Sequence, residues 1–352
     1  MTRRIALGWR TWITATAAAL TIAGLMASCG PMNGAGGSNG QRQVVVYSPH
    51  GVDVLGDYER RFEEAHPDID LQWLDMGSQE ILTRVTSERQ RPQADVWWGA
   101  PSTMFAKATK QGLLAAYRPT WADAVAASEH DPDDYWYGTF KSPLVIMYNT
   151  NGNDAQTAPQ TWDELLDPKW RGKITIRKPL VSGTMRTFIG AMVLRAESED
   201  AGIDWLRRLH EATEAYMENP QFLYDHMKRR ADLVSVWLMP DVVLQRDRNG
   251  YPFGFVVPPQ TPVLTEGIAV LAGAPHEEDA RLFYEFVTTQ EALAHQAEAY
   301  GKMPTRQDIA QASLPEWMRG IEIDAMDIDW AAFEEREEHW CKRWDEEVYR
   351  AQ

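Results

Sequence analysis

The amino-acid sequence predicts an α/β protein of two lobes joined by crossing strands. Short β-branched strands alternate with amphipathic helices from Val44 onward, the pattern of a mostly parallel sheet covered by helices. The alternation breaks near Tyr135 and resumes with a new set of strands. The roughly 310 residues beyond the N-terminal segment also exceed the size at which a single core stops growing. One lobe is therefore expected from residues 44–143 and 268–352, and a second from 144–267.

Each element has a local reason. Val44-Val45-Val46-Tyr47 is a buried-strand pattern ending in the turn Ser48-Pro49-His50-Gly51. Val54, Tyr58, Phe62 and Ala65 follow at helical spacing, Pro67 stops that helix, and Ile69 to Trp73 alternates as a second strand. A helix over 81–88 precedes the strand Ala94 to Trp98. Gly99-Ala100-Pro101-Ser102 then opens another helix, stopped by Gly112. Leu144 to Asn149 crosses into the second lobe, where Thr161-Trp162-Asp163-Glu164 reads as a capping box. Ile174-Thr175-Ile176 is a strand, Val181-Ser182-Gly183-Thr184 opens a long helix, Leu233 to Trp237 is a strand, and Pro240-Asp241 starts a helix. Gly267 to Leu271 is the return crossing. The helices after Pro275 complete the first lobe, and an amphipathic helix over 329–349 is expected to pack on it.

The N-terminus reads as a secretory signal over residues 1–28: Arg3, Arg4 and Arg10, then a short apolar run from Ile13 to Ala27. That run is too short for a comfortable membrane span, which needs about 20 apolar residues. Ser28-Cys29-Gly30 resembles the lipobox of bacterial lipoproteins, which implies lipidation of Cys29 and a location on the periplasmic or extracellular face of the cell membrane. Residues 29–43, rich in Gly, Ser and Asn, are expected to be a flexible tether. Cys341 is the other cysteine, so with Cys29 lipidated no internal disulfide forms; Cys341 reads as a packing residue.

The chain carries 35 basic and 51 acidic residues, net −16; without the three signal arginines the balance is 32 against 51, net −19. Such a surface argues against nucleic-acid binding, which rests on Lys and Arg neutralising phosphates. It leaves room for an anionic ligand, because local donors govern a buried site.

Several segments are familiar in order along the chain: Tyr47 to Gly51, Ala94-Asp95-Val96, Ser182-Gly183-Thr184 and Gly267 to His276. The most specific is Thr161-Trp162-Asp163-Glu164-Leu165-Leu166-Asp167-Pro168-Lys169-Trp170-Arg171-Gly172-Lys173-Ile174. Together they resemble the extracellular solute-binding proteins of bacterial ABC importers, in the branch of ferric-ion, 2-aminoethylphosphonate and sugar-phosphate binders. The resemblance implies the type 2 periplasmic-binding-protein topology, a ligand cleft between lobes, a membrane permease as partner, a monomer, and no cofactor or catalysis.

In open α/β sheets, ligands sit beyond the carboxyl ends of strands. That rule nominates Ser48 to Gly51, with Ser48 and His50, and the loop at Gly99 and Ala100. It also nominates Arg177 to Thr184, and Trp237 with its following residues. Ser182, Gly183 and Thr184 offer hydroxyls and free amides at a helix N-terminus, suited to phosphate, phosphonate or carboxylate; Ser182 equally fits a plain N-cap. Arg177 and Lys178 sit at the strand end beside them, and Lys141 and Arg186 are further basic candidates. His50 fits a hydrogen-bond donor or a turn histidine. Trp237 fits a wall for a sugar or an ammonium group, or core packing. Glu266 fits a partner for a hydroxyl or amine, or a hinge residue. The Glu334-Glu335 and Glu337-Glu338 pairs read as a solvated face.

The resemblance places a metal-ligand histidine at His50. The acidic residue and tyrosine pair that accompany it in ferric binders have no counterpart at Gly99-Ala100-Pro101 or Trp237-Leu238-Met239, so no metal site is expected. No nucleophile elbow, zinc-binding His-Glu-x-x-His or phosphate-binding Gly-Lys-Ser/Thr loop is present. The expected function is capture of a small organic anion for import. The alternative is a ferric-ion or cationic, polyamine-like solute.

Overall fold

A computed structural model describes residues 42–351. The signal segment, Cys29 and most of the tether lie outside the described residues. The last two tether positions, Arg42 and Gln43, already belong to the first strand, where they pair with Ile69 and Asp70.

The first half of the chain alternates as expected. β1 (Arg42–Ser48), α1 (Val52–Ala65), β2 (Ile69–Asp75), α2 (Ser78–Ser87), β3 (Val96–Pro101), α3 (Ser102–Lys110) and β4 (Leu114–Ala115) precede the long β5 (Tyr137–Asn149). Then come β6 (Ile174–Arg177), α4 (Gly183–Arg195), α5 (Glu199–Ala212), β7 (Thr213–Met217), α6 (Pro220–Arg229), β8 (Val234–Leu238), α7 (Met239–Asp247) and β9 (Phe253–Val256). β10 (Val263–Leu271), α8 (Glu277–Val287), α9 (Gln290–Tyr300), β11 (Met303–Pro304), α10 (Glu316–Arg319) and α11 (Trp330–Trp344) complete the chain, with a π-helical turn at Asp345–Tyr349.

The sheet order is β2-β1-β3-β10-β5-β8-β6-β7. β1, β2 and β3 run parallel, β10 is antiparallel to β3, and β6 runs parallel to both β7 and β8. This is the expected two-lobed, type 2 arrangement, and β5 joins its two halves. Through Pro143 it pairs with β10, and from Leu144 it pairs with β8. A thirteen-residue strand can serve both because almost every side chain on it is buried. One core surrounds β5 from Leu144 onward with α4 and α5. Two further clusters, around Val46–Trp98–Phe283 and Tyr47–Trp97–Phe105, cover the two faces of the first sheet.

Local signals are realised in detail. The Glu164 amide donates to Thr161 Oγ1 at 3.3 Å, and the Glu164 carboxylate reaches back to the Gln160 amide at 2.9 Å. The turn it starts is a short 3-10 turn, Asp163–Leu166, because Pro168 follows at once. Gly112 ends α3 with φ +67, a backbone region open to glycine at little cost.

The terminal helix departs from expectation. Phe333, Trp340, Cys341 and Trp344 of α11 enter the same core as α4 and α5, in the second lobe rather than the first. Gly190 of α4 makes this possible: a Cβ there would lie 2.5 Å from Phe333 Cζ and 2.9 Å from Trp340 Cε3. The glutamates of α11 are likewise not one solvated face, because Glu337 is fully buried.

Candidate functional site

Strands that run parallel into helices bring their carboxyl ends and the following helix N-termini to one side. Here the N-terminal turns of α1, α2, α4, α6 and α7 all border a single cleft of about 1200 Å³. First-lobe elements supply His50, Ser78 and Lys302, the crossing strand β10 supplies Glu266, and second-lobe elements supply Arg177, Ser182, Thr184, Trp237 and Asp241.

One end of the cleft is built for negative charge. Arg177 is the last residue of β6, is 5 % exposed, and its side chain makes no hydrogen bond or ion pair among the described residues. Its Nε is buried without a partner, and burial lowers its pKa. A guanidinium stays protonated in proteins, so Arg177 is a desolvated positive charge awaiting an acceptor. It lies beside Gly77, whose Cβ would stand 3.7 Å from Arg177 Nη2. The N-termini of α2 and α4 thus meet next to this charge, and their dipoles add to it.

The Ser182-Gly183-Thr184 turn is partly occupied by the protein itself. Ser182 Oγ accepts the Met185 amide at 3.4 Å, so Ser182 is the N-cap of α4. The Gly183 amide donates to Ser78 Oγ at 3.2 Å, a bond from one lobe to the other. The Thr184 hydroxyl makes no hydrogen bond among the described residues, and Thr184 borders the cleft. Arg177 and Thr184, rather than the whole turn, are the free donors.

The other end is mixed in charge. Lys302 Nζ is buried 3.8 Å from Asp241 Oδ1 and 3.8 Å from Glu266 Oε2. Glu266 also accepts a hydrogen bond from the Ser142 hydroxyl. His50 Nδ1 lies 3.6 Å from Glu266 Oε2, while its Nε2 is buried without a partner. Burial, and then the nearby Lys302 ammonium, hold the His50 pKa well below the ordinary histidine value, so the ring is neutral. Trp237 walls this end, with its indole N–H donated to Tyr224 Oη at 2.9 Å and to Asp241 Oδ2 at 3.0 Å.

Other expected site residues stand elsewhere. Lys141 pairs with Glu129 at 2.7 Å and does not border the cleft. Lys178 pairs with Glu218 at 2.9 Å, and Arg186 is drawn to Glu338 and Glu337. Ser48 lies beneath the cleft, where its Oγ accepts the His50 amide at 3.2 Å. Gly99 supports His50 from behind: it has φ +93, and a Cβ there would be 2.6 Å from His50 Nε2. Ala100 borders the cleft with φ 141.

Sequence reasoning missed Ser78, Asp241, Tyr224 and Lys302. The strand-end rule applied to β2 would have found Ser78. Lys302 has no such signal, because it follows a left-handed turn at Gly301, φ +66, that returns from α9. Among the described residues, no three His, Cys, Asp or Glu side chains come together as a metal cage.

A two-lobed α/β body with its cleft at the strand ends defines a solute-binding protein. Residues 94–331 match the bacterial extracellular solute-binding proteins, and the chain belongs to that family. It is 25 % identical over 310 residues to a probable ABC transporter periplasmic-binding protein, y4fP, of Sinorhizobium fredii, covering 87 % of this chain and 86 % of that one. It is 25 % identical over 298 residues to a putative 2-aminoethylphosphonate-binding periplasmic protein of Salmonella typhimurium, covering 76 % and 80 %. The structure of the periplasmic binding protein AfuA from Actinobacillus pleuropneumoniae, with fructose-6-phosphate bound, superposes with TM-score 0.77 at 25 % identity, over 89 % of this chain and 100 % of that one. A ferric binding protein from Campylobacter jejuni shares the fold, with TM-score 0.73 at 18 % identity, over 86 % and 98 %.

Proposed function

We propose that this protein is the substrate-binding component of an ABC importer and captures a small organic anion bearing a phosphate, phosphonate or carboxylate group. The observation that carries the reading is Arg177: a buried guanidinium with no protein partner, set between two helix N-termini and open to the cleft. A charge left so is costly without a counter-ion, and a bound anion supplies one. The Thr184 hydroxyl adds a donor beside it. The rest of the solute extends toward Trp237, Asp241 and Glu266, which suit hydroxyl or amino groups. The relatives' names, one for 2-aminoethylphosphonate and one for a sugar phosphate, agree with an anionic head carrying a polar remainder.

The reading extends to the N-terminus: a signal removed before Cys29 and a lipid on that cysteine would hold the binding body at the outer face of the membrane. Mass spectrometry of the membrane-extracted protein tests this.

For the ligand, thermal melting of the purified protein is measured with inorganic phosphate, 2-aminoethylphosphonate, fructose 6-phosphate, spermidine and ferric citrate. A phosphorylated or phosphonylated compound should raise the melting temperature in the wild type and lose that effect in Arg177→Met. Stabilisation by spermidine, or by iron but not by citrate alone, would reject the anion.

A further inference from the structure

We infer that α11 is a strap across the two lobes, and that its glutamates set how far the ligand-free cleft stands closed. The helix belongs to the second lobe by its apolar side, which is locked under Gly190 of α4. The same buried face, at Glu337 with Glu334 at its edge, also reaches α3, whose Met104, Phe105 and Ala108 lie in the first lobe's core.

The contact is two parallel rungs. Glu334 and Glu337 are one turn apart on α11, and Lys107 and Lys110 are one turn apart on α3. Lys107 bonds Glu337, and Lys110 Nζ lies 3.1 Å from Glu334 Oε1. The two rungs differ in environment. The Lys110 side chain is 61 % exposed, so its pair is weak and screened. Glu337 is fully buried, and its other neighbour is Arg186 of α4, with Nη2 at 3.6 Å.

That burial makes the inner rung a latch. Parting α3 from α11 would take Lys107 from the Glu337 carboxylate and leave it Arg186 alone, and losing one partner of a buried charge is unfavourable. α3 starts at Ser102, directly after the cleft residues Ala100 and Pro101 at the end of β3, and α4 carries Thr184 on its first turn after the N-cap Ser182, so both strapped helices are continuous with cleft walls. Holding their bodies together holds the two walls of the cleft together before any solute arrives. The ligand-free protein is thereby biased toward closure, which raises the fraction competent to retain solute.

The test is small-angle X-ray scattering of the purified, ligand-free protein, so it does not depend on the identity of the solute. Lys107→Met/Lys110→Met should give a larger radius of gyration than wild type while keeping one cooperative thermal transition. Because the inner-rung change could harm folding, the outer rung is tested separately. Lys110→Glu should open the protein, and Lys110→Glu/Glu334→Lys should return it to the wild-type radius. An unchanged radius in the double methionine variant, or a charge swap that stays as open as Lys110→Glu, overturns the strap.

Discussion

Gly183 donates its amide to Ser78 Oγ across the cleft at 3.2 Å, and a Cβ at position 183 would lie only 2.7 Å from that oxygen. The two lobes therefore touch where one of them carries no side chain. Gly183→Ala should keep the lobes from meeting and weaken solute binding by about ten-fold, as the competent state becomes less populated. Calorimetric titration checks this. Gly183→Ala/Ser78→Ala, which removes the opposing oxygen, should recover part of the loss.

Arg177 should show opposite effects on binding and folding. Arg177→Met is expected to cost about 1–3 kcal/mol of anion affinity through the charged hydrogen bonds lost. Without ligand the same variant should be as stable as wild type or more so, because an unpaired buried charge is replaced by an apolar chain of similar length. Urea unfolding with and without ligand separates the two. A ligand-free protein that loses stability would show that Arg177 has a structural counter-ion.

His50 should contribute a pH dependence at mildly acid pH. Its folded pKa lies well below the ordinary value of 6.5, so in acid the unfolded chain binds a proton that the folded protein resists. Stability is therefore retained above pH 6.5 and falls as pH drops from there toward the depressed folded pKa. His50→Gln removes this proton uptake. Urea unfolding at pH 7.5 and 5.5 should show a smaller decrease in the variant than in wild type.

Cys341 should be chemically silent. Burial pushes its thiol up to about 12, so almost no thiolate exists at pH 8. In a chain with Cys29 replaced by serine, a thiol-specific chromogenic reagent should leave the native protein unmodified and react with one equivalent in denaturant. Reaction of the native protein would mean that α11 detaches readily from α4.

Much of the architecture was legible because it follows from local periodicity. The β-branched runs at Val44, Ala94 and Leu233, the stop at Gly112 and the cap at Thr161 are decided by neighbours within a few residues, and each is found within a few residues of its expected place; the strand expected over Ala94 to Trp98 runs instead from Val96 to Pro101 and takes in Gly99 and Ala100. The strand-end rule also pointed correctly to where a cleft opens, since chain direction in a parallel sheet follows from the order of elements.

Long-range partner choice was not legible. Arg177, Lys178, Lys141 and Arg186 look alike as basic residues near turns. Only packing assigned Glu218, Glu129 and Glu338 to three of them and left Arg177 unpaired. The amphipathic pattern of α11 declares a buried face but cannot say which lobe receives it; Gly190, 140 positions before Trp330 in the numbering, made that choice by leaving room for two rings. Sequence by itself thus determined the elements, their order and the side of the sheet on which the cleft opens. The tertiary structure decided which charges are neutralised, because pairing depends on distances between segments that no local pattern encodes.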